Sequence, residues 1–450
     1  MNIDQQVLQI PTLLTKIVRM LQIKVASVNF FTRASVDIMP FIILLLLVAT
    51  AFTTSTQAAT LLFKSNFGPG VSIAEPTNYF PTGNGAWQYI TGTDQETGYT
   101  WPISALGAEF SGVQLITREI VDSSTIGNHI TNHVRSVTGP KGKPVNELFQ
   151  NVKLKEPAGQ AFAQAPLLIK RPWTKGDVKD LYLTYWFKYP ADFASKLTLP
   201  NLGGNWRTQF EFKTGGYNNQ YGGDYRIITN IIKDSSGKLY WSTVGDNKAN
   251  QPEAPVQYWR EANNVVPVPI DKWFKYEVYW HRSSGSDGRF WSAVNGQVIV
   301  DRWGPNMGKY NLPITRIMAN NAYTGGYATV ESHSTGLQIW DGFPCGVGRS
   351  CYNYDQVAPT VPASLKSTIA KYSSSANVSL TWAASADNVS VAGYAIYRNG
   401  TKVGVTNRTR TSFSNTISGS AKGALYSYTV RAFDAEGNLS DRSNYASVVY

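Results

Sequence analysis

The sequence predicts an all-β protein in two unequal parts, a large antiparallel jelly-roll β-sandwich followed by a small Greek-key sandwich. Three observations point there. Apolar and polar residues alternate every second position in many short runs, the mark of half-buried strands. The pairs Asp287-Gly288, Asn295-Gly296 and Asn399-Gly400 punctuate those runs as hairpin turns. No stretch beyond a few turns holds a 3.6-residue period, and no internal repeat is found. With 450 residues, 13 Trp, 25 Tyr, 19 Phe and only 16% charged side chains, the chain can bury a substantial core.

Residues 1–59 read as a leader and signal peptide. Lys16, Arg19, Lys24 and Arg33 precede the apolar run Phe41 to Ala49, and small residues ending in Ala58-Ala59 follow. The strongly apolar part, Ile38 to Phe52, is shorter than the roughly 20 residues a spanning helix needs, so cleavage is favoured over a retained anchor. The expected protein is secreted or held in the cell envelope, monomeric, and free of the membrane after cleavage. Export permits disulfides, and Cys345 and Cys351 enclose a Gly-rich loop that can bend the chain back into a bridge.

Residues 354–360 form the linker: Tyr354-Asp355-Gln356-Val357-Ala358-Pro359-Thr360 leads on to Val361-Pro362, and closely spaced prolines favour an extended connector. Beyond it, 361–450 holds evenly spaced strands. Val378, Leu380 and Trp382 alternate with polar neighbours, Tyr394 to Arg398 and Thr401 to Val405 flank Asn399-Gly400, and Tyr426, Tyr428, Val430 and Ala432 alternate again. With Pro359, Pro362, Trp382, Tyr394, Ile396 and the Tyr426 to Asp434 strand before Gly437, this segment resembles a fibronectin type III domain, an immunoglobulin-like sandwich. The resemblance implies a spacer or docking unit.

The body, 60–353, is β throughout, with strand-like runs at Leu181 to Tyr189, Arg207 to Lys213, Tyr225 to Ile232, Phe274 to His281, Phe290 to Asp301, Thr315 to Asn320 and Leu337 to Trp340. The succession Lys272-Trp273, strand, Gly/Ser/Asp turn, Trp291, Val294-Asn295-Gly296, then Leu337 to Asp341, resembles the concanavalin A-like lectin/glucanase jelly roll, especially its laminin-G-like and heparin-lyase-like branches.

In a curved jelly roll one sheet face stays open to a long substrate. Strict alternation puts Trp206, Thr208, Phe210 and Phe212 on one side of a strand and Arg207, Gln209, Glu211 and Lys213 on the other. The second set would make a floor for an acidic sugar chain, Arg forking onto carboxylate; the same pattern fits a solvated outer face. The stretch Gly215 to Arg226 follows, rich in Tyr, Asn and Gly, with Tyr217, Tyr221 and Arg226 able to meet a sugar.

Phe212-Lys213-Thr214-Gly215-Gly216-Tyr217-Asn218-Asn219 resembles, in degenerate form, a motif of a jelly-roll alginate lyase family; Thr117-Arg118-Glu119-Ile120 and the segment holding His129 and His133 stand where its other motifs would. The resemblance implies β-elimination on a uronic acid-containing polysaccharide, with His133 and Tyr217 as catalytic candidates and Arg118, Arg207 or Gln209 neutralising the carboxylate. Metal-free chemistry suffices, so no cofactor is expected. A structural calcium would draw on Asn66 and Asp341, too few ligands to define a site.

Other classes are disfavoured. The paired-carboxylate strand motif of glucanases is absent, and Asp94-Gln95-Glu96 sits in a Thr/Gly loop. No phosphate loop, zinc pattern or Gly-x-Ser-x-Gly elbow occurs. The +11 charge is scattered rather than striped, which favours an anionic glycan over nucleic acid. The alternative is a non-catalytic lectin-like adhesin or matrix-binding protein.

Overall fold

A computed structural model describes residues 59–78, 85–117, 130–152, 163–164, 167–198, 200, 204–215, 225–246, 259–308, 311–324, 330–418 and 423–450. The leader therefore lies outside the described residues. The regular structure described is nearly all strand, 56% against 3% helix, with one short α-helix, Phe193–Lys196. Among the described residues no helix is long and apolar enough to cross a membrane.

Two antiparallel sheets face each other in the body. The back sheet has eight strands in the order Gln297–Trp303, Arg289–Val294, Phe274–His281, Asp180–Lys188, Val330–Trp340, Pro144–Val152 and Ile130–Thr138, with Leu61–Ser65 paired to Val330–Trp340. The front sheet has twelve, in the order Trp259–Asn263, Leu239–Asp246, Arg226–Lys233, Trp206–Thr214, Ile314–Thr324, Leu167–Lys170, Phe110–Thr117, Gly85–Thr93 and Ser72–Ile73; three short strands complete it.

Aromatic side chains fill the space between them, as the composition predicts. Phe210 and Phe212 of the front sheet meet Tyr276 and Trp280 of the back sheet, with ring centroids 6.1 and 5.2 Å apart. Both phenylalanines are fully buried. Each such ring removes a large apolar area from water, so this layer is the main source of hydrophobic stabilisation.

The last ninety or so residues form a second sandwich. Ala363–Lys371, Ser375–Ala383 and Ser412–Ser418 make one sheet; Thr401–Asn407, Val391–Arg398, Leu425–Asp434 and Ala446–Val449 make the other. Asn399 (φ 49°) and Gly400 (φ 81°) both adopt the left-handed backbone of a type I′ turn, as the Asn-Gly pair predicts. Trp382 packs edge-on to Tyr394 in the core of this sandwich.

This sandwich is bonded to the outer surface of the back sheet. Lys275 of Phe274–His281 reaches Glu436 at 2.7 Å, while Lys64 and Gln338 both donate to the carbonyl of Ala435. Ala392, Ala395, Phe433 and Ala435 join the body's apolar cluster. The spacer role implied by the sequence resemblance is thereby modified: the module is packed against the body, not merely tethered to it.

The Cys345–Cys351 bridge is present. Its loop is held by Glu277, whose carboxylate accepts bonds from the Tyr182 hydroxyl, the Ser350 hydroxyl and the Cys351 amide. Asn66 and Asp341 are engaged separately. Asn66 bonds to Asp94 and Glu96, and Asp341 accepts the Thr60 amide. Asp94 is fully buried and accepts from Ser65, Asn66 and Glu96, so the Asp94-Gln95-Glu96 loop ties down the end of Leu61–Ser65.

Candidate functional site

The face-sharing expected of Arg207, Gln209, Glu211 and Lys213 is broken by a β-bulge. Thr208 pairs with Asn230 but Phe210 pairs with Thr229, leaving Gln209 as the extra residue. A bulge inserts one residue against none on the partner and reverses the inside–outside alternation beyond it. Arg207, opposite the core residue Ile231, and Gln209 therefore turn inward. Gln209 accepts the Tyr189 hydroxyl at 2.6 Å and lies within reach of Tyr185. Arg207 is 2% exposed, its guanidinium 5.4 Å from the Phe193 ring, and burial pushes its pKa down to about 10. Neither lines an open face.

Glu211 and Lys213 do lie on the outer face of the front sheet. Their partners in register show what else is there. Glu211 stands between Met318 and Ile228; Lys213 stands between Arg316 and Arg226; Arg316 in turn faces Lys170, and Arg226 faces Asp246. Four cations thus run across four adjacent strands, Lys170, Arg316, Lys213 and Arg226. Glu211 sits 3.3 Å from the Lys213 amine and 3.9 Å from Arg226, and Asp246 holds Arg226 at 2.9 Å. Lys213 is 8% exposed, and burial drives its pKa below the ordinary lysine value even though Glu211 opposes that shift.

Next to this row lies an apolar patch. Trp87 and Tyr89 pack on Phe110 with centroids 4.2 and 4.8 Å apart, and Phe110, Leu168 and Met318 form a cluster separate from the main core. Gln114, in register with Trp87, is fully buried, and neither end of its amide has a hydrogen-bond partner. Sequence reasoning passed over Gln114. Its signal was its place on the Phe110–Thr117 strand, two positions beyond Gly112 on the same face.

His133 belongs elsewhere. It lies on Ile130–Thr138, the edge strand of the back sheet, where its ring meets Phe149 at 5.2 Å. The cationic row is on the opposite sheet, so the structure does not bring His133 and Lys213 into one site. Burial and the neighbouring Arg135 lower the His133 pKa. Of the other described histidines, His281 bonds to Asp180 and His333 to Glu147. Arg118, His129, Tyr217 and Tyr221 lie outside the described residues. Arg226, named from the sequence, is in the row.

No family model matches the chain. An alpha-amylase of Niallia circulans is 48% identical over 86 residues, 19% of this chain and 6% of that protein. Exoglucanase B of Cellulomonas fimi is 45% identical over 86 residues, 19% of this chain and 7% of that protein. Chitinase Chi52 of Paenibacillus xylanexedens is 38% identical over 132 residues, 29% of this chain and 23% of that protein. The chain thus spans less than a quarter of these relatives, and the likeness is to their modules in its C-terminal region. Among solved structures, an endo-β-1,4-glucuronan lyase from the fungus Trichoderma reesei aligns with TM-score 0.35 at 12% identity, over 48% of this chain and 89% of that one. The alginate lyase Aly36B aligns with TM-score 0.34 at 14% identity, over 60% of this chain and 97% of that one.

Proposed function

We propose that the protein is an exported carbohydrate-active protein that binds an acidic polysaccharide along the outer face of the front sheet and cleaves it by β-elimination. The supporting observation is the row Lys170, Arg316, Lys213 and Arg226 beside a Trp87–Phe110–Tyr89 platform. Cations neutralise uronate carboxylates, and aromatic faces pack on pyranose rings.

The chemistry asks for a base at C5 and an acid at the leaving oxygen. Lys213 replaces His133 as the candidate base, because an amine with a lowered pKa is more readily neutral and it lies on the same face as the cations. It would take the C5 proton; the C5–H electrons form the C4–C5 double bond, the C4–O4 bond breaks, and the departing oxygen receives a proton. Tyr217, two residues beyond Gly215, remains the proposed donor. Arg226 and Arg316, which flank Lys213 in register, would hold the carboxylate whose neutralisation makes C5 acidic.

The Lys213–Glu211 pair also suits a second reading, a lectin in which a protonated Lys213 only binds. One experiment separates them. The full chain is incubated with alginate, glucuronan, pectin and heparin, and the ultraviolet absorbance of unsaturated uronate ends is followed. Growth of that signal, abolished by Lys213→Met, supports the lyase. Binding with no signal on any of the four supports the lectin.

A further inference from the structure

A cleft of about 490 Å³ opens where the edge strands of the two sheets meet, and it is separate from the cationic row. One wall is the segment Val71 to Pro76; the other is Thr131 to Val134, with Gln88 at the base. Its size lies within the roughly 300–1,000 Å³ typical of small-ligand sites.

Its chemistry is specific. Asn132 is 8% exposed and Gln88 6%, and the Asn132 amide donates to Gln88 Oε1 at 2.7 Å. That bond aligns the Asn132 side chain and leaves its Oδ1 buried without a partner. A buried acceptor left without a donor is costly, so a ligand donor there is favoured. Val71, Ile73, Pro76 and Val134 give an apolar wall, and Ser72, Thr131 and His133 complete the lining. Among the described residues no Lys or Arg lines the cleft, and the only carboxylate there is Glu75, which disfavours an anion.

We propose that this cleft is a second carbohydrate site, selective for a neutral pyranose, with Asn132 Oδ1 accepting from a sugar hydroxyl and the apolar wall taking a C–H face of the ring. It differs from the front-sheet face in ligand charge: one surface takes uronates, the other an uncharged sugar.

The test uses the full chain with methyl β-D-glucopyranoside, methyl β-D-galactopyranoside and methyl α-D-mannopyranoside, read by saturation-transfer NMR. Saturable binding of at least one is expected. Asn132→Leu removes the acceptor, and Glu75→Trp puts a bulky ring at an exposed position of the lining without touching a buried group. Each should weaken binding by about tenfold or more, the equivalent of one hydrogen bond of average strength. Lys213→Met should bind as the wild type does. Absence of saturable binding for all three sugars, wild-type affinity in Glu75→Trp, or loss of binding in Lys213→Met would each overturn the proposal. The polyuronate assay reads the other face, so failure of either reading leaves the other standing.

Discussion

Lys275 and Glu436 come from different sandwiches and meet at 2.7 Å, with only 2% of the lysine side chain and 16% of the glutamate exposed. Lys64 lies close to the same carboxylate, and burial lowers its pKa while Glu436 and Asp434 raise it. A pair this deep repays its desolvation only when both members are present. Lys275→Ala should therefore destabilise the chain by about 3 kcal/mol, since it strands Glu436. The double variant with Glu436→Ala should lose less than the sum of the singles, as denaturant unfolding would record.

The inward turn of Gln209 gives a second expectation. Gln209→Leu keeps the volume but leaves the fully buried Tyr189 hydroxyl without its acceptor. A loss of about 1–3 kcal/mol is expected, while polyuronate affinity stays unchanged. Unaltered stability together with weakened glycan binding would place Gln209 on the open face after all.

Lys213 should leave its mark on the pH profile. A base acts when unprotonated, so elimination should speed up as pH rises, along a limb centred below the ordinary lysine pKa because burial lowers that of Lys213. Lys213→Arg preserves the charge but not an accessible neutral form. It should retain polyuronate binding and lose turnover, a split visible by comparing KM with kcat.

Asp434 makes a prediction of opposite sense to the usual carboxylate. Burial lifts its pKa to about 6, against the bonds from Asn438 that lower it. The folded state then holds a proton that the unfolded state has released, so stability is full below roughly pH 4 and falls as pH rises through about 6. Asp434→Asn should flatten that slope in the dependence of Tm on pH. Asp355, whose pKa is also raised by burial, keeps part of it.

The strands were legible because period-two patterning and Asn-Gly turns are local signals, and Asn399-Gly400 forms the turn that its composition requires. The candidate site was legible only in part. Glu211 and Lys213 follow from alternation after Phe210, and Arg226 from the Tyr/Asn/Gly-rich stretch it ends, but a single extra residue at Gln209 inverts the rule for everything before it, and no local composition announces the bulge. Arg316 and Lys170 join the site through strand order, since Leu167–Lys170 and Ile314–Thr324 are distant in sequence and adjacent in the sheet. His133 misled for the same reason: proximity to a motif in the chain does not say which sheet a strand enters.

The attachment of the C-terminal sandwich to the back of the body also fixes orientation. The sandwich covers part of the outer surface of the back sheet, so the cationic row, on the outer surface of the front sheet, points away from it.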